Sequence, residues 1–142
     1  MRVTALWMPL VVADAAGFEA SAGFYRDLLG LAEVDGWDRD GEHGAVYAVG
    51  DSGRIEIVRP APAPTPPTAP ASDEPAASPA VPPIAFELPD RAAVDRLYHR
   101  LRTSRPATTR PAPPTTFPRG HYGFTATDPA GYPVLLWTEA TR

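Results

Sequence analysis

Apolar residues recur along this chain in two rhythms, one helical and one alternating, and the order of those rhythms occurs twice. Val3 to Val12 is an apolar run with Trp7 near its centre, too short to cross a membrane and rich enough in Val and Leu for a strand. Phe18, Ala22, Tyr25, Leu28 and Leu29 then make one helical stripe over Phe18 to Leu29, and Gly30 is placed to cap its C-terminus. Three strand-like segments follow, Leu31 to Trp37, Ala45 to Val49 and Arg54 to Val58, separated by the turn clusters Asp38 to Gly41 and Gly50 to Gly53. The order restarts at Ile84. Ile84 to Leu88 alternates as a strand, Asp90 can cap a helix, and Val94, Leu97, Tyr98 and Leu101 give the stripe of a helix lying on a sheet. Pro106 ends that helix, Ala107 to Arg110 reads as a weak edge strand, and His121 to Thr127 and Pro133 to Thr138 close the half through the turn Asp128 to Gly131.

The joint between the halves has no such rhythm. Pro60 to Pro83 holds ten of the chain's 19 prolines, so it can neither wind as a helix nor pair as a sheet, and is expected to be a tether. A tether of this length spans roughly 25–30 Å, enough for two chains to exchange halves. The 142 residues are expected to form one domain: a first module over 1–59, a Pro-rich linker over 60–83 and a second module over 84–142. Each half alone has too little apolar surface for a stable core, so the two must share one. Where two such sheets face each other they make a cup, and its lining decides the function.

Composition narrows the chemistry. The formal charge is −4, and no basic track is present, so nucleic acid is not an expected partner. The 13 basic residues are all Arg, which fits the codon bias of a GC-rich genome, as does the high Ala and Pro content. With no Cys there is no disulfide, thiolate nucleophile or Cys-based metal site. Arg2, the apolar stretch and Ala13-Asp14-Ala15 loosely imitate a signal peptide, but a single basic residue precedes the stretch and Pro9 interrupts it. The segment therefore reads as a first strand, with the cytoplasm as the expected compartment and no membrane partner. No nucleophile elbow, P-loop or dinucleotide fingerprint occurs.

Three short motifs in this order resemble the vicinal oxygen chelate superfamily of glyoxalases, extradiol dioxygenases and bleomycin-resistance-type proteins. Phe24-Tyr25-Arg26-Asp27-Leu28-Leu29-Gly30 is similar to the family's F-Y-x-x-x-L-G helix, Ile84-Ala85-Phe86-Glu87-Leu88 to its fifth strand, and Phe124 with Asp128-Pro129-Ala130-Gly131 to its F-x-x-x-D-P-x-G hairpin. The resemblance covers nearly all of the chain except the tether. It implies an α+β fold of paired βαβββ modules forming a curved mixed sheet around a ligand cup, and a homodimer. In metal-using members one ligand sits on each of four strands. Carried over, those positions fall on Trp7, Glu56, Pro83 and Leu135, of which only Glu56 can bind a cation. A catalytic divalent ion needs about three protein ligands, so no metal and no cofactor are expected. The three His residues do not help: His43 reads as a turn residue, His99 lies on the second helix and His121 precedes the seventh strand.

Alternation assigns the faces. If Trp7 points into the cup, so do Ala5 and Pro9, while Leu6 and Met8 pack under the helix. Glu56 brings Arg54 and Val58 with it, and Leu135 brings Pro133 and Trp137. The expected ligand-binding set is Trp7, Pro9, Trp37, Tyr47, Arg54, Glu56, Phe117, His121, Tyr122, Leu135 and Trp137: aromatic faces for stacking and a few polar groups for orientation. Each tryptophan serves equally well as a core residue, and Glu56 can simply pair with Arg54. The expected function is non-catalytic binding and sequestration of a bulky, partly aromatic natural product, as in bleomycin-resistance-type self-protection. One alternative is a metal-independent isomerase, lyase or cyclase of secondary metabolism with Glu56 as base, helped by Arg54 or His121. The other is a metal-dependent enzyme like the glyoxalases or dioxygenases.

Overall fold

A computed structural model describes residues 1–62, 81–104 and 106–139. Most of the expected tether, residues 63–80, lies outside the described residues. The first module contains β1 (Leu6–Val11), α1 (Ala15–Ala22), a π-helical continuation (Gly23–Leu28), β2 (Glu33–Arg39), β3 (Glu42–Val49) and β4 (Gly53–Arg59). The second contains β5 (Ile84–Glu87), α2 (Arg91–Ser104), α3 (Pro106–Thr109), β6 (Thr115–Thr116), β7 (Tyr122–Thr127) and β8 (Pro133–Thr138). The sheets are four-stranded and mixed, ordered β1-β4-β3-β2 and β5-β8-β7-β6. β1 runs parallel to β4 and β5 parallel to β8, and the other pairs are antiparallel. The repeat read from the sequence is thus a repeat of topology.

The two longer α-helices, α1 and α2, start where a carboxylate can take up their free amides. Asp14, in extended conformation, accepts from Gly17 N at 2.7 Å, and Asp90 accepts from Ala93 N at 2.7 Å. The first helix departs from the expected α-helix over Phe18 to Leu29. After Ala22 it widens, and Leu29 N donates five residues back to Phe24 O at 3.0 Å. Gly30 ends it at φ +75°, the left-handed conformation a C-terminal cap requires. The wide turn buries both Phe24 and Tyr25 completely. Ala107 to Arg110 also departs from expectation. Pro106 supplies a fixed φ suited to a first helical turn, so Pro106–Thr109 is a short helix. The edge strand forms past the prolines instead, where Thr115 and Thr116 pair with Gly123 and Tyr122.

One apolar core serves both modules. Leu10, Val12, Phe18, Phe24, Tyr25, Ile55 and Ile57 of the first join Phe86, Val94, Leu101, Phe124, Val134 and Leu136 of the second. Tyr25 ties them most directly. Its ring lies 6.2 Å from that of Phe86, and its hydroxyl donates to Asp128 Oδ2 at 2.7 Å in a buried contact. Asp128 Oδ1 accepts from the amides of Ala130 (2.9 Å) and Tyr132 (2.8 Å), so this carboxylate also shapes the β7–β8 turn. On the surface, Arg100 of α2 donates to Asp27 O at 2.8 Å. Burial, then the Asp128 charge, holds the Tyr25 phenol far above its ordinary pKa, and burial raises that of Asp128.

Replacing Tyr25 by Phe leaves Asp128 Oδ2 without its buried donor. The expected cost is about 1.5–3 kcal/mol in urea unfolding at pH 7. Because the folded-state pKa of Tyr25 is raised, its contribution is intact below the unfolded value of 10.0 and is lost as pH rises above it. Stability of the parent protein therefore falls above pH 10, and Tyr25→Phe flattens that limb by one proton, about 1.4 kcal/mol per pH unit.

Candidate functional site

Pairing register sorts the side chains of each sheet into a helix-covered face and an open face. In the first sheet Leu10, Val12, Ala45, Tyr47, Ile55 and Ile57 lie in the core under the helix. The opposite parity forms the open face: Trp7 beside Arg54, Pro9 beside Glu56, Val46 beside Glu56, and Trp37 beside Gly44. In the second sheet Phe86, Phe124, Val134 and Leu136 face the helix. Ala85, Glu87, Leu135 and Trp137 occupy the open face, with Glu87 beside Trp137. Trp7, Pro9, Arg54, Glu56, Leu135 and Trp137 thus lie where alternation puts them, and Trp37 shares the open face through its pairing with Gly44. Leu6 and Met8 do share the parity of Leu10 and Val12, yet they are 70% and 36% exposed. Both instead line a small cavity with Ile84, Ala85 and Phe86 of the second module, so the expectation that they pack under the helix does not hold.

Other expected site residues are distributed differently. Tyr47 is fully buried on the helix-covered face, and burial pushes its phenol up to about 12. Tyr122 pairs with Thr138, of opposite parity to Trp137, and its hydroxyl donates to Asp95 on α2 at 2.7 Å. That bond raises its pKa. Both tyrosines serve helix–sheet packing. His43, expected in a turn, is on β3 with its ring 4.4 Å from that of Phe18. Arg54 does not pair with Glu56: its Nη1 donates to Gly53 O at 2.7 Å.

The remaining residues form two aromatic platforms. On the second sheet Phe117 stacks on His121 (centroids 4.7 Å, planes 12° apart), and His121 meets the Trp137 ring edge-on at 5.4 Å. Arg119 lies over the same indole at 5.2 Å and is held there by Glu139 at 2.8 Å. His121 Nδ1 is buried without a hydrogen-bond partner among the described residues. On the first sheet Trp37 Nε1 donates to Glu42 Oε1 at 2.8 Å, and the indole lies across Gly44. A Cβ on Gly44 would overlap Trp37 Cζ2, Cη2 and Cε2, so the close approach requires glycine. Glu42, Glu87 and Arg119 belong to the site's surroundings and were missed by sequence reading. Residue parity could have found Glu42 and Glu87; nothing local marks Arg119.

The donors present do not fit a catalytic metal. Of the four positions assigned by resemblance, Trp7, Pro83 and Leu135 offer no lone pair suited to a cation. Glu56 and Glu87 are the carboxylates on the open faces of β4 and β5, and among the described residues no group of three or more His, Asp or Glu side chains could hold an ion.

Gly44→Ala is expected to drive the Trp37 indole off β3 and break its bond to Glu42. The expected readouts are loss of near-ultraviolet circular dichroism and a destabilisation of about 1–3 kcal/mol. Glu42→Gln keeps an acceptor for Nε1 and should preserve the spectrum.

Comparison with known proteins agrees with this architecture. A model of the Glyoxalase/Bleomycin resistance protein/Dioxygenase superfamily matches residues 10–136. No curated protein matches the chain. Among solved structures, a glyoxylase/bleomycin resistance protein/dioxygenase domain from Frankia sp. EAN1pec superposes with a TM-score of 0.65 at 14% identity, covering 99% of this chain and 93% of that one. Lactoylglutathione lyase from Agrobacterium tumefaciens gives 0.60 at 24% identity, covering 94% and 91%. Fosfomycin resistance protein FosX from Mesorhizobium loti gives 0.62 at 18% identity, covering 99% and 95%. These likenesses are of fold, and with the matched family model they lead to one statement: the chain belongs to the glyoxalase/bleomycin resistance protein/dioxygenase superfamily.

Proposed function

We propose that this protein binds and sequesters a bulky, partly aromatic natural product without transforming it, in the manner of bleomycin-resistance-type self-protection in the cytoplasm. The observation that carries this reading is the pair of aromatic platforms on open sheet faces, one built on Trp37 and one on Trp137, with no metal-ligand set among the described residues. Broad indole faces, the aliphatic Pro9 and Leu135, and a few orienting charges suit stacking and apolar burial. Affinity would come from buried apolar area at about 25 cal/mol per Å², less the cost of ordering the guest. Resistance proteins such as FosX share the fold and lend the reading plausibility.

The working unit in this proposal is a homodimer. Among the described residues β1 pairs only with β4, and its Leu6, Trp7 and Val11 are 70%, 51% and 55% exposed. A second copy covering β1 would bury this apolar edge and enclose two equivalent clefts. A second reading, a metal-independent isomerase or lyase, has one observation in its favour. Glu56 stands between Pro9 and Val46 on the open face, and among the described residues its carboxylate has neither a hydrogen bond nor an ion pair. A free carboxylate beside apolar walls is equipped to take a proton from a bound substrate.

Titration of the protein with aromatic antibiotics, followed by tryptophan fluorescence and mass spectrometry of the recovered ligand, separates the readings. Saturable quenching with ligand recovered unchanged is expected. Trp137→Ala should weaken binding by about thirtyfold or more, the effect of losing a central aromatic anchor. Turnover that Glu56→Gln abolishes while binding persists would replace sequestration with catalysis. Sedimentation equilibrium is expected to give twice the chain mass.

A further inference from the structure

Strands β1 and β4 run side by side in parallel register and set four side chains in a square on the open face of the first sheet: Trp7 beside Arg54, and Pro9 beside Glu56. Such neighbours lie about 4.8 Å apart across the strands and about 6.6 Å apart along them. The two charges share β4, and the two apolar side chains share β1. We propose that this square grips the guest by a zwitterionic head, the ammonium and carboxylate of an α-amino acid unit, with an aromatic body laid on Trp7. The inference rests on the binding reading above and specifies its guest.

Arg54 and Glu56 are half-buried, opposite in charge and two residues apart on one face, where direct pairing is the simplest outcome. They do not pair. Among the described residues neither joins an ion pair, and Glu56 has no hydrogen bond. The Arg54 guanidinium turns back to the carbonyl of Gly53, its own chain neighbour, at 2.7 Å. That acceptor is neutral. A carboxylate in its place would make a charge-assisted bond, roughly twice as strong and open to bidentate geometry. Glu56 likewise keeps its full accepting capacity for an ammonium. A guest with one charge would satisfy one of these groups and leave the other unpartnered beside Trp7 or Pro9. A guest with both charges, ordered oppositely along β4, satisfies the two at once and adds no net charge. Trp7 supplies the place for the body. It is 51% exposed, and among the described residues the arginines lying over aromatic rings are Arg91 on Tyr122 and Arg119 on Trp137, so Arg54 leaves the Trp7 indole uncovered. The Trp137 platform lacks such a pair of free charges, because its cation, Arg119, is already held by Glu139 at 2.8 Å.

The test is a ¹H–¹⁵N shift titration of the full chain with three probes sharing one aromatic body: L-phenylalanine, 2-phenylethylammonium chloride, which lacks the carboxylate, and sodium 3-phenylpropionate, which lacks the ammonium. Saturable shifts at the amides of Trp7, Arg54 and Glu56 are expected with phenylalanine, and each truncated probe should bind at least about tenfold more weakly. Arg54→Gln should erase the advantage of phenylalanine over phenylethylammonium, and Glu56→Gln its advantage over phenylpropionate. Truncated probes that bind as tightly at the same amides would overturn the zwitterion while leaving aromatic sequestration standing. Shifts centred on Trp137, no saturable shift with phenylalanine, or undiminished selectivity in the folded variants would overturn it as well. The sequestration reading itself fails by a different signal, the absence of tryptophan quenching by aromatic antibiotics.

Discussion

A four-stranded sheet carrying one helix has two faces and only one cover. Every other property of this molecule follows from how that shortage is met. The two modules pool their covered faces into one core, through Tyr25, Phe86 and the helices, and each keeps its other face free. The pooling spares each module from needing a core it is too small to build. It also leaves open two sheet surfaces on which aromatic side chains can stand without being part of the fold's own packing. The platform residues are thus largely released from structural duty, which is the condition under which a surface can be shaped for a guest.

The polar contacts follow the same division. The one that joins the two modules inside the shared core, between Tyr25 and Asp128 at 2.7 Å, is short and enclosed. Those on the open faces hold aromatic rings in place: Glu42 fixes Trp37, and Glu139 fixes Arg119 over Trp137. Glu56 belongs to neither class. Its carboxylate, unpaired among the described residues, is the feature by which a binding surface in this fold would differ from a catalytic one.

Much of the architecture was legible in the sequence because it rests on periodicity. Alternation along β1, β4 and β8 correctly divided Trp7 from Leu10, Glu56 from Ile57 and Trp137 from Leu136. The capping roles of Asp90 and Gly30 were equally plain, since each depends on local chemistry alone. Misreadings came where an answer depended on something distant. Leu6 and Met8 have the right parity, but their neighbours are Ile84, Ala85 and Phe86 of the other module, which spacing along β1 does not reveal. Tyr122 looked like a cup residue until Asp95 on α2 proved to be its partner. Arg54 found a neighbouring carbonyl in place of Glu56, a choice that spacing cannot distinguish.

The wide turn at Gly23–Leu28 has a further implication. A π-turn holds more residues per revolution than its α counterpart. The heading of Tyr25 toward Asp128 is therefore set by counting rather than by composition. Related chains could exchange most exposed side chains in this stretch and keep the two modules docked. Losing a single position would re-phase the helix end and aim the phenol elsewhere. Evolution is consequently free to drift in letters here but bound in length, so insertions and deletions should be rarer in this turn than its surface side chains alone would suggest.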